Sequence, residues 1–295
     1  MKVLLLGVTG MLGSVAYKAF CDDSKYEVWG TLRNPSGLKY FAEGIRKNLL
    51  SGVDVADFDS IVSVFSKIKP DIVMNCIGLI KQLADSKDPL SALPINAMLP
   101  HRLSKLCQLG NARLIHISTD CVFSGRKGGY EESDVSDAED LYGKSKYIGE
   151  LHNETHAITL RTSIIGHELS SSYSLVDWFL SQEGELKGFS KAIFSGLPVA
   201  ELVNVIKDIV IPNTSLHGLY HVSAKPISKF CLLKLIADVY EKKISIIEDS
   251  SLIIDRSLVS QRFTLATGYC APEWPQLIRL MHRSKSPNTM DTHYV

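Results

Sequence analysis

The chain has 295 residues, 45% hydrophobic and 22% charged, with 32 basic and 32 acidic side chains. That is the composition of an ordinary globular protein, long enough for one large domain or two smaller ones. Zero formal net charge argues against an electrostatic grip on nucleic acid or an anionic membrane, since both need a basic excess.

The predicted elements alternate through the first 165 residues. "KVLLLG" (2–7), "YEVWGTL" (26–32), "DIVMNCIG" (71–78), "ARLIHIS" (112–118) and "AITLRTSI" (157–164) read as buried strands. Residues 11–20, 57–68, 91–109 and 141–155 carry helical periodicity, and "KNLLSGVDV" (47–55) reads as a weaker strand. Strand–helix alternation predicts an α/β fold, a Rossmann-like doubly wound parallel sheet covered on both faces. Beyond 165 the regularity falls away. Residues 175–182, 199–210 and 227–242 read as helices, and 219–223 and 244–249 as short strands. The expected organisation is a cofactor-binding domain over 1–165, a smaller substrate-binding lobe over 166–283 and a frayed tail over 284–295.

Cys21, Cys76, Cys107, Cys121, Cys231 and Cys270 are scattered, with no spacing suited to zinc, so reduced thiols and no metal are expected. The opening "MKVLLLGVTGMLG" is broken by Gly7 and Gly10, with no small-residue cleavage site after it. No stretch approaches a membrane span. A cytoplasmic protein is expected.

Three short motifs carry the chemistry. In "LLLGVTGMLGSVAYKAF", Gly7, Gly10 and Gly13 follow a buried strand and open a helix. A tight turn there needs positive φ, pyrophosphate needs a missing side chain to approach, and the helix start offers free N–H groups. The next strand ends "VWGTLRNPSG", with Arg33 and no acidic residue to meet a ribose 2′-hydroxyl. That pattern favours NADP(H), with NAD(H) as the alternative.

In "LIHISTDCVFSG" (114–125), Ser118, Thr119 and Asp120 fall at the carboxyl end of a strand, where open α/β sheets bind ligands. In "LYGKSKYIGE" (141–150), Tyr142 and Lys146 share one helix face. A phenol with a pKa near 10 is a poor acid–base group at neutral pH, and a neighbouring ammonium stabilises its anion. A strand-end hydroxyl can hold a substrate carbonyl, the tyrosine can move the proton, and the hydride must come from a cofactor.

"GVTGMLG", "STDCVFSG" and "YGKSKYIGE" together resemble the signature of the extended short-chain dehydrogenases/reductases, closest to the dTDP-4-dehydrorhamnose reductase group. The likeness is strong over the first 165 residues and looser beyond, where "GLPVAELVNVI" and "DRSLVSQRF" resemble the group's later segments. It implies NADPH-dependent reduction of a 4-keto-6-deoxy nucleotide sugar in cell-surface polysaccharide precursor synthesis, and suggests a homodimer. By the same resemblance, Gly7, Thr9, Gly10, Met11, Leu12 and Gly13 would cradle the pyrophosphate and Arg33 the adenosine phosphate. Asp54 and Val55 would lie by the adenine. Cys76, Ile77, Gly78 and Ser118 would follow the cofactor. Thr119, Tyr142 and Lys146 would be catalytic, with Tyr142 and Lys146 also touching cofactor. Asp120, Val122, Phe123 and Arg256 would meet the substrate.

The chain departs from the group at Cys121, where Tyr is usual, and at Ser124, where Asp is usual. The segment "RTSIIGHELSSSYSLVDWFLSQ" also differs, so a UDP-linked, N-acetylated sugar fits as well as a dTDP-linked one. Two other readings stay open: an NAD-dependent nucleotide-sugar epimerase, and a non-catalytic protein resembling the regulatory subunit of methionine adenosyltransferase. The histidines show no ligand spacing and read as structural or solvated. The acidic run "EESDVSDAED" (131–140) reads as a solvated loop before the Tyr142 helix.

Overall fold

The computed structural model describes residues 1–80, 87–170 and 174–284. Seven parallel strands form the main sheet: β1 (Lys2–Leu6), β2 (Glu27–Leu32), β3 (Leu49–Ser51), β4 (Ile72–Asn75), β5 (Arg113–Thr119), β6 (Ala157–Thr162) and β7 (Gly218–His221). Their order is β7-β6-β5-β4-β1-β2-β3. The chain starts at β1 and winds one way to β3, then returns across to β4 and winds the other way. The order therefore reverses between β1 and β4, and the crevice beyond their carboxyl ends is where such sheets take a ligand.

Strand β1 is apolar on both faces because helices cover both. Val3 and Leu5 enter one core, with α1 (Met11–Cys21) and much of the second half of the chain. Leu4 and Leu6 enter the other, with α2 (Phe58–Ile68) and α3 (Leu99–Leu109). The period of two in a strand sorts neighbouring side chains into separate cores.

Three elements differ from the sequence reading. The helix expected over 91–109 is a short turn (Pro89–Ala92), a π-helical stretch (Leu93–Met98) and then α3. Pro100 has no N–H to give the carbonyl of Asn96 four residues back, so the turn widens. The helix expected over 141–155 is only α4 (Leu141–Ile148), because the chain turns inward at Gly149. Residues 218–221, expected within the smaller lobe, instead extend the main sheet beside β6.

Beyond β6 the sequence reading missed strands at Glu185–Phe189 and Ala192–Phe194 and helices at Gln261–Thr267 and Trp274–Arg283. The last was visible in principle: Trp274, Leu277, Ile278 and Met281 repeat on one face and are buried. No helix among the described residues is long and apolar enough to cross a membrane. The tail expected to be frayed lies, beyond Ser284, outside the described residues.

Candidate active site

The glycine turn is built as its spacing requires. Gly7 has φ +82°, and a methyl there would lie 2.6 Å from Ile77 Cγ1. A methyl at Gly13 would lie 2.2 Å from the Gly7 carbonyl oxygen, so the first turn of α1 packs directly on the loop. Gly10 differs: nothing stands nearer its missing side chain than the Gly7 oxygen at 3.5 Å. Gly10 also caps α1 without a side-chain hydrogen bond, and Thr9 and Gly10 are exposed. Open space, a free helix start and Met11, Leu12 and Gly13 behind it fit a pyrophosphate.

Thr31 at the end of β2 fixes the turn, accepting at Oγ1 from Gly7 N (3.3 Å) and at its carbonyl from Val8 N (3.0 Å). Arg33 follows on the surface, and Asn34 caps the 3₁₀ turn Pro35–Tyr40. That turn leans on the glycine loop, since a methyl on Gly37 would lie 2.7 Å from Thr9 Cγ2. The adjoining end of β3 brings in Asp54, whose Oδ1 accepts from Ala56 N at 3.0 Å, and Val55, packed on the second core. Cys76, Ile77 and Gly78 leave β4 across from the turn. Ile77 N donates to Asn75 Oδ1 (3.1 Å), and burial pushes the Cys76 thiol up to about 12, which leaves it un-ionised.

At the carboxyl end of β5, Thr119 Oγ1 accepts from Cys121 N (3.1 Å) and donates to Asp120 Oδ1 (3.2 Å). The Tyr142 helix packs on this strand end, since a methyl on Gly143 would lie 2.2 Å from the Cys121 carbonyl oxygen. Asp140 starts α4 by accepting from Gly143 N at 2.8 Å, which places Tyr142 in its first turn. Lys146, one turn on, is buried and donates from Nζ to the Ile117 carbonyl at 2.7 Å. A methyl on Gly78 would lie 3.8 Å from that Nζ, so the lysine bridges the ends of β4 and β5.

The electrostatics differ in part from expectation. Burial, with Cys121, Asp120 and Asp140 nearby, raises the Tyr142 pKa, and the Thr119 hydrogen bond opposes it without winning. The phenol therefore holds its proton in the ligand-free protein. Burial lowers Lys146 to about 8, against an upward pull from Glu150. Asp120 is raised by burial, with Arg256 and hydrogen bonds from Thr119, Cys121 and Ser163 pulling the other way. Arg256 Nε also donates to the Phe123 carbonyl at 2.7 Å, so Arg256 joins the cluster.

Three of the expected contact residues have their side chains engaged within the protein. Val122 and Phe123 have no exposed surface. They form a separate apolar knot with Tyr130 and Leu258, in which Phe123 stacks on Tyr130 at 4.0 Å. Their side chains stiffen the loop after Thr119. Ser118 donates its hydroxyl to Glu150 Oε1 at 2.6 Å.

Asn96 was missed. Buried in the π stretch, it accepts from Leu79 N (2.9 Å) and donates to the Leu79 carbonyl and to Ser145 Oγ (both 3.2 Å), tying the segment after β4 to α4. An Asn between two prolines inside an apolar helical stretch was the available signal.

The chain resembles known proteins over most of its length. Over 234 residues, 76% of this chain and 74% of the relative, the sequence is 26% identical to the dTDP-4-dehydrorhamnose reductase of Aggregatibacter actinomycetemcomitans. It is 29% identical over 251 residues, 81% of this chain and 74% of the relative, to methionine adenosyltransferase 2 subunit beta of Danio rerio. The fold matches the crystal structure of dTDP-4-dehydrorhamnose reductase from Bacillus anthracis in complex with NADP. The TM-score is 0.78 at 24% identity, over 96% of this chain and 99% of that one. The UDP-Glc/GlcNAc 4-epimerase of Campylobacter jejuni shares the fold at a TM-score of 0.74 and 16% identity, over 96% and 98% of the two chains. Residues 1–251 match the RmlD substrate binding domain, which contains the glycine turn, the Thr119 strand end and the Tyr142 helix, and the chain belongs to that family.

Proposed function

We propose that the protein reduces the 4-keto group of a nucleotide-linked 6-deoxy sugar with NADPH, in the supply of precursors for cell-surface polysaccharide. One observation carries this reading: the helix of Tyr142 and Lys146 packs on the strand end of Thr119, with Lys146 Nζ on the Ile117 carbonyl, beside an open glycine turn. The cofactor, when bound, supplies a hydride for the keto carbon. Tyr142 gives its proton to the keto oxygen, and Thr119 holds that oxygen in place. Lys146 orients the nicotinamide ribose and stabilises the phenolate until a proton returns from solvent. Asp120 and Arg256 face the sugar and its diphosphate.

The test is NADPH oxidation with dTDP-, UDP- and GDP-linked 4-keto-6-deoxy sugars, with and without an N-acetyl group. Turnover of one class names the substrate; none overturns the reading. Arg33 supports NADPH over NADH, as does the NADP held by the Bacillus anthracis reductase. Arg33→Ala is expected to weaken NADPH binding by about tenfold or more, the loss of a charged hydrogen bond worth about 1.5–3 kcal/mol, and to leave NADH affinity unchanged. Equal weakening of both by calorimetric titration would place the adenosine phosphate elsewhere.

A second reading is favoured by the likeness to the methionine adenosyltransferase beta subunit, which has the highest identity over the longest span of the relatives above. In it the chain binds a partner and turns over no sugar. Co-purification with a methionine adenosyltransferase, with no keto sugar reduced, would establish it. Purified protein carrying stoichiometric NAD would point instead to an epimerase.

A further inference from the structure

Beneath the catalytic helix lies a buried ion pair that the chemistry above does not use. Glu150, just past Gly149, is 3% exposed and Arg161 on β6 is 1% exposed. Arg161 forks onto the carboxylate, Nε to Oε1 at 2.7 Å and Nη2 to Oε2 at 2.6 Å. Its Nη1 donates to His221 Nε2 on β7 at 3.2 Å, while His221 Nδ1 donates to the Tyr130 carbonyl at 3.1 Å. Burial, then the Arg161 charge, drives His221 down to about 3, so it stays neutral and this tautomer holds. The guanidinium also lies 5.1 Å from the centre of the Phe123 ring.

Stability alone gives little reason for this pair. Two charges removed from water lose hydration that their attraction only partly restores, and apolar side chains of similar volume often serve as well. What sets the pair apart is what it joins. Ser118, adjacent to Thr119, donates to Glu150 Oε1 at 2.6 Å, and Glu150 itself ends the segment that carries Tyr142 and Lys146. Arg161 and His221 carry the connection to the Tyr130–Phe123 loop that follows Asp120. One fork thus ties together every chain segment that bears a proposed catalytic group.

We infer that Glu150, held by Arg161, is a positioning residue for Lys146 and Thr119: it anchors the Ser118–Thr119 strand end and supplies the negative charge that balances the buried ammonium. This rests on the reading of Lys146 as the cofactor-binding, phenolate-stabilising lysine. Around Lys146 stand the Ile117 carbonyl, Glu150, and His116 of β5, which burial and the Lys146 charge keep neutral, with His101 of α3 beyond it. Around Glu150 stand Arg161, Ser118, Lys146 and the half-exposed His152 at 3.6 Å. Glu150 is the one group among these that pulls the Lys146 pKa upward, against burial.

The test follows NADPH binding by its fluorescence across the range from about pH 6 to 10. The wild type should lose affinity through an inflection near 8, where Lys146 gives up its proton, and Lys146→Met should show no inflection. Glu150→Gln should move the inflection about one pH unit lower, with about fivefold weaker binding at pH 8. Arg161→Met should move it the opposite way, which general structural damage would not do. An inflection absent from the wild type, or retained in Lys146→Met, overturns the Lys146 reading and this inference with it. An inflection that belongs to Lys146 but does not move in folded Glu150→Gln overturns this inference alone. If Glu150→Gln and Arg161→Met both fail to fold while Lys146→Met folds, the pair serves stability and the inference is wrong.

Discussion

Replacing Tyr142 with Phe is expected to lower turnover by a factor of about 10²–10⁴, the usual contribution of a positioned general acid, with NADPH binding within about twofold of wild type. The change removes one oxygen from a largely buried side chain and leaves the Asp140 cap and the Lys146–Ile117 hydrogen bond intact. Thr119 Oγ1 keeps its bonds to Cys121 N and Asp120, so the strand end holds its shape. The sign of the pH dependence also follows. Burial raises the Tyr142 pKa, so in the reducing direction the phenol carries its proton throughout the neutral range. The limb on the alkaline side then belongs to Lys146 near 8: activity should be full below it and fall as pH rises through it. Turnover by Tyr142→Phe equal to wild type, on whichever sugar nucleotide the panel identifies, would falsify the mechanism.

The first half of this fold was legible because its signals are local. A four-residue apolar run in β1, glycines at 7, 10 and 13, and an Asp before the Tyr142 helix each state their conformation within a few positions. The Tyr142–Lys146 pairing was expected for the same reason, since four residues along one helix share a face. What could not be read depended on distant partners. Glu150 lies four residues after Lys146, the position of an ordinary surface ion pair on a continuing helix, and only the turn at Gly149 sends it inward to Arg161. Nor does the sequence show that Glu150 takes the Ser118 hydroxyl or that Tyr130 stacks on Phe123. Strand β7 reads as an isolated short run because its pairing partner, β6, lies more than fifty residues earlier.

Gly143 links this packing to the chemistry, and its replacement should have the next largest effect. A methyl at Gly143 would lie 2.2 Å from the Cys121 carbonyl oxygen, 3.2 Å from the Cys121 carbonyl carbon and 2.7 Å from Ala138 Cβ. Two of these atoms are backbone, in the loop that Thr119 begins, and no long side chain is there to swing aside. Gly143→Ala must therefore lift the amino end of α4 from the end of β5. Overpacking of this kind costs about 1–3 kcal/mol, and a shift of about 1 Å at a reacting group costs about 10²-fold in rate. The expected result is a lower Tm together with a roughly hundredfold loss of turnover, concentrated in kcat because Tyr142 moves relative to Thr119 while the glycine turn stays in place. Gly44→Ala is the matched control: it sits in the short helix Glu43–Arg46 with nothing within 4 Å of its missing side chain. There alanine should leave turnover unchanged and raise stability by up to about 1 kcal/mol. If Gly143→Ala melts and turns over like the wild type, the contact between α4 and the Cys121 backbone is not what sets the Tyr142–Thr119 geometry.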